Sequence, residues 1–339
     1  MVSSHPHPLP TCLAVLTLAL ACSLASTAGQ ASASHLSCGD TITTDTTLDG
    51  DLRDCPSNGI VIGADDITLD LNGHTISGDD EPFKPCPEDQ PCDLGVLNEG
   101  HDAVTIQGGT VTGFGLGIVV VRAKRNRLRN LAAVENAFEG IVIFRSARIR
   151  VQGSSASRNG VGNSRPGIAL AESDYNRITG NTMSRNGDLA LFMEASDHNL
   201  IRHNTARGNP EDGMIIEGDR NEIVRNRLVR NGGGILITIV SRGGKSVGNV
   251  VARNVVRNAR AGGIAVDRVP KRTLISRNLV VGSGRGGIIV GSRSTTITNN
   301  RAVRNRGLGI RAVEAVIDGG GNRASGNGDP RQCLNVACR

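Results

Sequence analysis

The sequence has no tryptophan and a single tyrosine, and aromatic residues make up only 2% of its 339 positions. A core without large rings must be filled by stacked Val, Ile and Leu, and a platform of aromatic side chains for stacking nucleobases is excluded. Charge is missing from the beginning: no Asp, Glu, Lys or Arg precedes Asp40. The apolar run Leu13 to Leu24 is short of the ~20 residues that cross a bilayer, so no transmembrane segment is expected.

That run reads instead as the apolar centre of a signal peptide over residues 1–33, with small residues Ala31, Ser32 and Ala33 suited to cleavage. A secreted chain, extracellular or periplasmic, is the consequence. Of the eight cysteines, Cys12 and Cys22 fall in this leader, which leaves six for an oxidising compartment. Neighbour pairing predicts the disulfides Cys38–Cys55, Cys86–Cys92 and Cys333–Cys338.

What is abundant is glycine, at 44 residues, and it is periodic. A Gly followed by an aliphatic residue recurs at Gly59-Ile60, Gly95-Val96, Gly117-Ile118, Gly140-Ile141, Gly167-Ile168, Gly213-Met214, Gly234-Ile235, Gly263-Ile264, Gly287-Ile288 and Gly309-Ile310. Ala190-Leu191 fills the gap in the series, and from Gly95 onward the intervals run from 21 to 29 residues. Such a period is one coil of a solenoid. Each Gly-Ile-x-Val-x run alternates with period two, and a second short apolar run follows about ten residues later; neither has the 3.6-residue period of a helix. Asparagines mark the bends. Asn176, Asn181 and Asn186 are matched one coil later by Asn199, Asn204 and Asn209, and again by Asn221, Asn226 and Asn231. Asn tolerates left-handed backbone and its amide can bond the main chain, so stacked copies are expected to form internal amide ladders.

The segment Ile67 to Gly78 (ITLDLNGHTISG), with the Gly-Ile and Asn coils that follow, resembles the right-handed parallel β-helix repeat family, which includes pectate lyases, polygalacturonases, alginate lyases, mannuronan epimerases and NosD-type proteins. The resemblance covers about residues 38 to 338. It implies an all-β, right-handed parallel β-helix of about ten coils with disulfide-stapled ends. The expected layout is an N-terminal cap at 34–58, repeats over 59–332 with a disulfide loop inserted at 79–94, and a C-terminal cap at 333–339.

The resemblance also implies polysaccharide lying along one parallel sheet, so the outward positions of the Gly-Ile-x-Val-x strand become the candidate site. Two residues after each Gly runs an apolar stripe that includes Val142, Ala169, Phe192, Ile215 and Leu236. Four residues after it stand Glu194, Glu217 and Asp267, within four consecutive coils. Two roles are open for these carboxylates. They could ligate Ca²⁺ and neutralise a uronate while Arg268 or Lys271 assists proton abstraction, as the family's lyases and epimerases imply. Alternatively, Glu194 and Glu217 could serve as an acid and nucleophile pair for glycoside hydrolysis.

Charge along the chain supports an anionic partner. Residues 34–102 hold sixteen Asp and Glu against Arg53 and Lys84, whereas the rest holds thirty-six Lys and Arg against sixteen Asp and Glu. An acidic polysaccharide is the expected partner and nucleic acid is not. The polygalacturonase, alginate-epimerase and pectate-lyase residue sets are absent, which keeps a second class open: a non-catalytic scaffold or surface-binding module that uses the apolar stripe.

Overall fold

The structure is a computed structural model that describes residues 36–81, 92–241 and 243–339. The described residues form short strands joined by turns, with no helix among them long and apolar enough to cross a membrane. Strands pair in parallel with their counterparts one coil before and one coil after, as Ile141–Phe144 does with Leu116–Val121 and Ile168–Ala171.

Three faces result. The first is a thirteen-stranded sheet from Asp40–Ile42 to Cys333–Leu334, which makes about twelve turns. The second runs from Thr46–Thr47 to Ile317–Asp318, and the third from Leu52–Cys55 to Arg323–Ser325. Two long strands, Thr105–Thr112 and Arg127–Val134, round the corner between second and third faces and belong to both. The turns beyond the expected ten lie at the ends, where the Gly-Ile signature is missing. Asp40–Ile42, assigned from sequence to a cap, is already in register with Ile60–Ile62, and Cys333–Leu334 extends the sheet past Ile310–Ala312.

The period-two pattern explains the burial. Ile141 and Ile143 point into the solenoid and are fully buried, while Val142 and Phe144, which alternate with them, are half-buried on the outside. Met193 and Met214, read from sequence as core, are also fully buried. Each inward aliphatic side chain removed from water contributes about 1.5–3 kcal/mol, and stacking makes that contribution repeat every coil.

Polar groups at the bends are satisfied by the predicted ladders. In one column the side-chain amide of Asn181 donates to Oδ1 of Asn204, which donates to Asn226, and so on through Asn254, Asn278 and Asn300 to Asn322, at 3.0–3.2 Å per step. A second column links Asn136, Asn159, Asn186, Asn209 and Asn231. All are buried. Repeat glycines and asparagines are coupled sterically: a Cβ on Gly140 or Gly167 would lie 2.5 Å from the amide nitrogen of Asn159 or Asn186.

Disulfides close the ends as expected. Cys38 and Cys55 are bonded with Cα atoms 5.3 Å apart, and Cys333 and Cys338 with Cα atoms 6.2 Å apart. The predicted Cys86–Cys92 pairing involves Cys86, which lies outside the described residues, as do the leader at 1–33 and most of the inserted loop.

Asn226 gives the ladder a measurable test. Its Oδ1 accepts from the main-chain and side-chain nitrogens of Asn204, and its amide donates to Ile201 O and Asn254 Oδ1. Asn226→Ala strands buried donors and acceptors on both neighbours, and urea unfolding should show a loss of about 3 kcal/mol or more. The neighbouring exposed change Arg227→Ala should stay within about 0.5 kcal/mol. Equal effects from the two would remove the ladder from its structural role.

Candidate functional site

The groove with the densest chemistry lies across the first face at the middle of the solenoid. Its floor is the predicted apolar stripe: Val142, Ala169, Phe192 and Ile215 follow one another in register on four neighbouring strands. The coil from Gly140 to Gly167 is 27 residues long, and its surplus forms a turn whose Ser164, Arg165 and Pro166 line one side. Together they enclose a hollow of about 570 Å³.

Five carboxylates line that hollow, Glu139, Asp188, Glu194, Glu211 and Asp212, against one cation, Arg165. Asp212 is the first residue of Asp212–Ile216 and sits opposite Gly233 on the next strand. A side chain at 233 would overlap the Asp212 carboxyl, so this glycine makes its room. Burial, and then the charges of Glu211, Asp188 and Asp267, push the Asp212 carboxyl up to about 6. Asp188 is raised for the first two of these reasons, burial and Glu211, with Arg165 opposing. Burial also raises Glu139, again opposed by Arg165, whose Nη1 lies 3.8 Å from the Glu139 carboxylate.

The three carboxylates expected to share a column are not brought together. Glu194 lines the hollow. Glu217 does not face outward: it is fully buried, and its carboxylate accepts the main-chain N–H groups of Val240 and Ser241 at 2.8 and 2.9 Å and the Ser241 hydroxyl. The strand ends at Ile216, and the 29-residue coil from Gly234 to Gly263 carries a turn whose donors need an acceptor. Asp267 is exposed and accepts from Thr238 Oγ1 at 2.5 Å. It lies three strand spacings from Glu194, about 14 Å, too far to share one ion. The residues present therefore do not fit the expected Ca²⁺ site, and no cluster of three acidic, His or Cys side chains suited to a metal occurs among the described residues. Arg268 and Lys271 are exposed on the turn after Asp267, and Arg268 faces a different hollow.

Asp212, Asp188 and Glu139 escaped the sequence reading because it considered only positions after each Gly. Glu139 and Asp212 immediately precede their Gly, where other coils carry Asn, Leu, Pro or Gly, and the 27-residue coil marks the place where an extra turn lines the face.

The family described as "right handed beta helix region" matches residues 94–241 and 161–302. No curated protein sequence matches. Among solved structures, the chain is similar to the periplasmic alginate epimerase AlgG (14% identity, TM-score 0.59, covering 88% of this chain and 74% of that one). It is also similar to the A-module of a mannuronan C-5 epimerase from Azotobacter vinelandii (16%, 0.52, 78% and 74%) and to the catalytic unit of an α-1,3-glucanase from Streptomyces thermodiastaticus (13%, 0.66, 84% and 62%). At these identities the likeness is one of fold.

Two stability measurements test the assignments. Glu217→Gln puts an amide N–H among donors that need an acceptor, so denaturant unfolding should show a loss of about 2–3 kcal/mol; an unchanged midpoint would mean the 240–241 turn is held otherwise. For Asp212, the folded pKa lies above the ordinary carboxylate value near 3.9, so the folded state binds the extra proton and stability falls as pH rises through the interval up to about 6. Asp212→Asn should therefore raise the melting temperature at about pH 8 and leave it nearly unchanged at about pH 4. A gain at the lower pH alone would reverse the sign and refute the assignment.

Proposed function

The chain belongs to the right-handed β-helix family, and from that premise we propose that it binds a polysaccharide along its first face and cleaves it by acid–base chemistry at the hollow around Asp212. One observation carries this reading: a half-buried carboxyl group that holds its proton up to about pH 6, beside a second carboxyl, over an apolar floor. Asp212 is the acid that protonates the glycosidic oxygen. Asp188, whose charged form Arg165 favours, is the carboxylate that activates water or attacks the anomeric carbon. Phe192 and Ile215 pack against the sugar faces, and Gly233 keeps the Asp212 carboxyl in place. The similar folds named above, epimerases of alginate and mannuronan and a glucanase, support polysaccharide as the substrate class.

The expected acidic polysaccharide fits the C-terminal end of the same face. Arg268 and Arg311 line one hollow of about 430 Å³, and Arg285 and Arg311 line another of about 500 Å³. Uronate groups lie there, while the bond to be broken lies over the carboxylates, which repel further negative charge. Action on an exported glycan agrees with the leader expected at 1–33 and with disulfides at both ends.

Release of reducing ends from alginate, polygalacturonate and neutral glucans is the direct test. Asp212→Asn should lower activity by at least about 100-fold, and wild-type activity should fall as pH rises past about 6. Full activity in Asp212→Asn would exclude the acid role. A wild-type protein that binds these glycans yet leaves every bond and configuration intact would instead be the non-catalytic module, with the apolar stripe as its contact surface.

A further inference from the structure

A different face carries a different chemistry. On the second face, Arg127, Arg150 and Arg177 open three consecutive strands and are paired in register, Arg127 opposite Arg150 and Arg150 opposite Arg177. All three are exposed. Parallel strands lie about 4.8 Å apart, so three guanidinium stems leave the surface within about 10 Å of one another. Like charges directly opposite on neighbouring strands repel.

The same stretch of chain neutralises several of its other arginines internally. Arg122 pairs with Glu99, Arg125 with Asp102 at 3.3 Å, Arg145 with Glu172 at 2.9 Å and Arg158 with Glu135 at 2.5 Å. Arg127, Arg150 and Arg177 form no ion pair among the described residues. Arg129, which donates to Gln107 Oε1 at 2.6 Å, and Arg148 also form no ion pair among the described residues and add to the positive charge around the column.

The column ends at a hollow of about 360 Å³ lined by Tyr175, Arg177, His198, Arg220 and Glu222, which follows Arg177 and Leu200 in the same register. Tyr175, the chain's one tyrosine, is 53% exposed and stacks on His198 with ring centroids 4.7 Å apart. Arg220 Nη1, one coil further on, lies 3.4 Å from His198 Nε2. An apolar ring beside planar guanidinium forks is the combination that holds a carboxylated sugar: the ring packs on the pyranose and the fork takes the carboxylate with two hydrogen bonds.

We propose that this arginine column and its terminal hollow bind a carboxylated polysaccharide whose chain runs along the solenoid axis, successive uronates meeting successive arginines. The site is independent of the acid hollow on the first face and stands whether or not that hollow is catalytic. A nucleic acid would ask for several stacking rings, and this surface offers one tyrosine and one histidine.

Titration calorimetry of the full chain with polygalacturonate and alginate tests the proposal, with neutral dextran, duplex DNA and polyphosphate as comparison ligands. The wild-type protein should bind the two polyuronates in preference to all three comparisons. The triple variant Arg127→Gln, Arg150→Gln, Arg177→Gln should weaken that binding at least about tenfold and flatten its salt dependence by about three counterions. Its melting temperature should be equal or higher, because a like-charge contact is removed. Tyr175→Ala should weaken binding without changing the salt slope. A triple variant that binds as the wild type does, or DNA and polyphosphate binding as tightly as polyuronate, would overturn the proposal. The two faces are separable: Asp212→Asn should retain the arginine-dependent binding, and the triple variant should retain whatever turnover short oligosaccharides show.

Discussion

The structure depends on one interaction, the buried hydrogen bond from each corner asparagine to the next. A solenoid bends three times per coil, and at each bend the main chain leaves the sheets that pair its N–H and C=O groups. Buried groups left unpaired there would cost about 1–3 kcal/mol each, repeated at every bend of every coil. Asn204 shows how the ladder removes that cost: its main-chain nitrogen and its amide both reach Asn226 Oδ1, and the amide also reaches back to Ile178 O. The bonds also hold strained backbone. Arg225, Arg253 and Arg277, each just before a ladder asparagine, have φ values of 57°, 57° and 55°, a region that side-chain-bearing residues rarely occupy.

A ladder fixes register, and fixed register turns sequence positions into straight columns on the surface. Once Asn226 stands on Asn254, every residue at the same offset from it stands on its counterpart. The apolar floor of Val142, Ala169, Phe192 and Ile215 and the cationic column of Arg127, Arg150 and Arg177 arise in the same way on different faces. Surface chemistry on this scaffold is therefore linear, with a repeat set by the strand spacing of about 4.8 Å, and suited to polymers that present the same group again and again. Coils that match in length only continue a column. Coils that do not match make places.

That distinction also separates what was legible in the sequence from what was not. Gly-Ile pairs and asparagines obey the period, so the fold, its inward residues, the ladders and the two described disulfides could be read directly. The apolar stripe obeys it too, and Phe192 and Ile215 stand where alternation put them. Glu217 does not. It belongs to the column only if the strand continues past Ile216, but the 29-residue coil inserts a turn whose N–H groups draw the carboxylate inward. A residue count gives the length of that coil, yet not which side chain will turn to meet it. Asp212 was missed for the complementary reason. Its position before the Gly is filled elsewhere by Leu189 and Pro166, and its raised pKa comes from burial and from the charges of Glu211, Asp188 and Asp267, carboxylates that a residue count does not bring together.

The charge of the chain then has a physical explanation. A carboxyl group raised by burial and by neighbouring carboxylates needs an environment poor in cations, since an arginine in contact would return it to the ordinary range. Arg165 reaches Glu139 and influences Asp188, but it is absent from the causes that act on Asp212. A polyanion, in contrast, is held by cations that no internal acid neutralises. The two requirements cannot be met at one place, and the solenoid separates them by face and by coil: carboxylates at the middle of the first face, free arginines on the second face and toward the C-terminal end of the first. The five carboxylates of the hollow lie in the part of the chain where thirty-six Lys and Arg outnumber sixteen Asp and Glu, so the acid site is a local exception within a basic region. The two proposed sites therefore make opposite demands on their neighbours: the first requires few cations near Asp212, the second a surplus of arginine over acid.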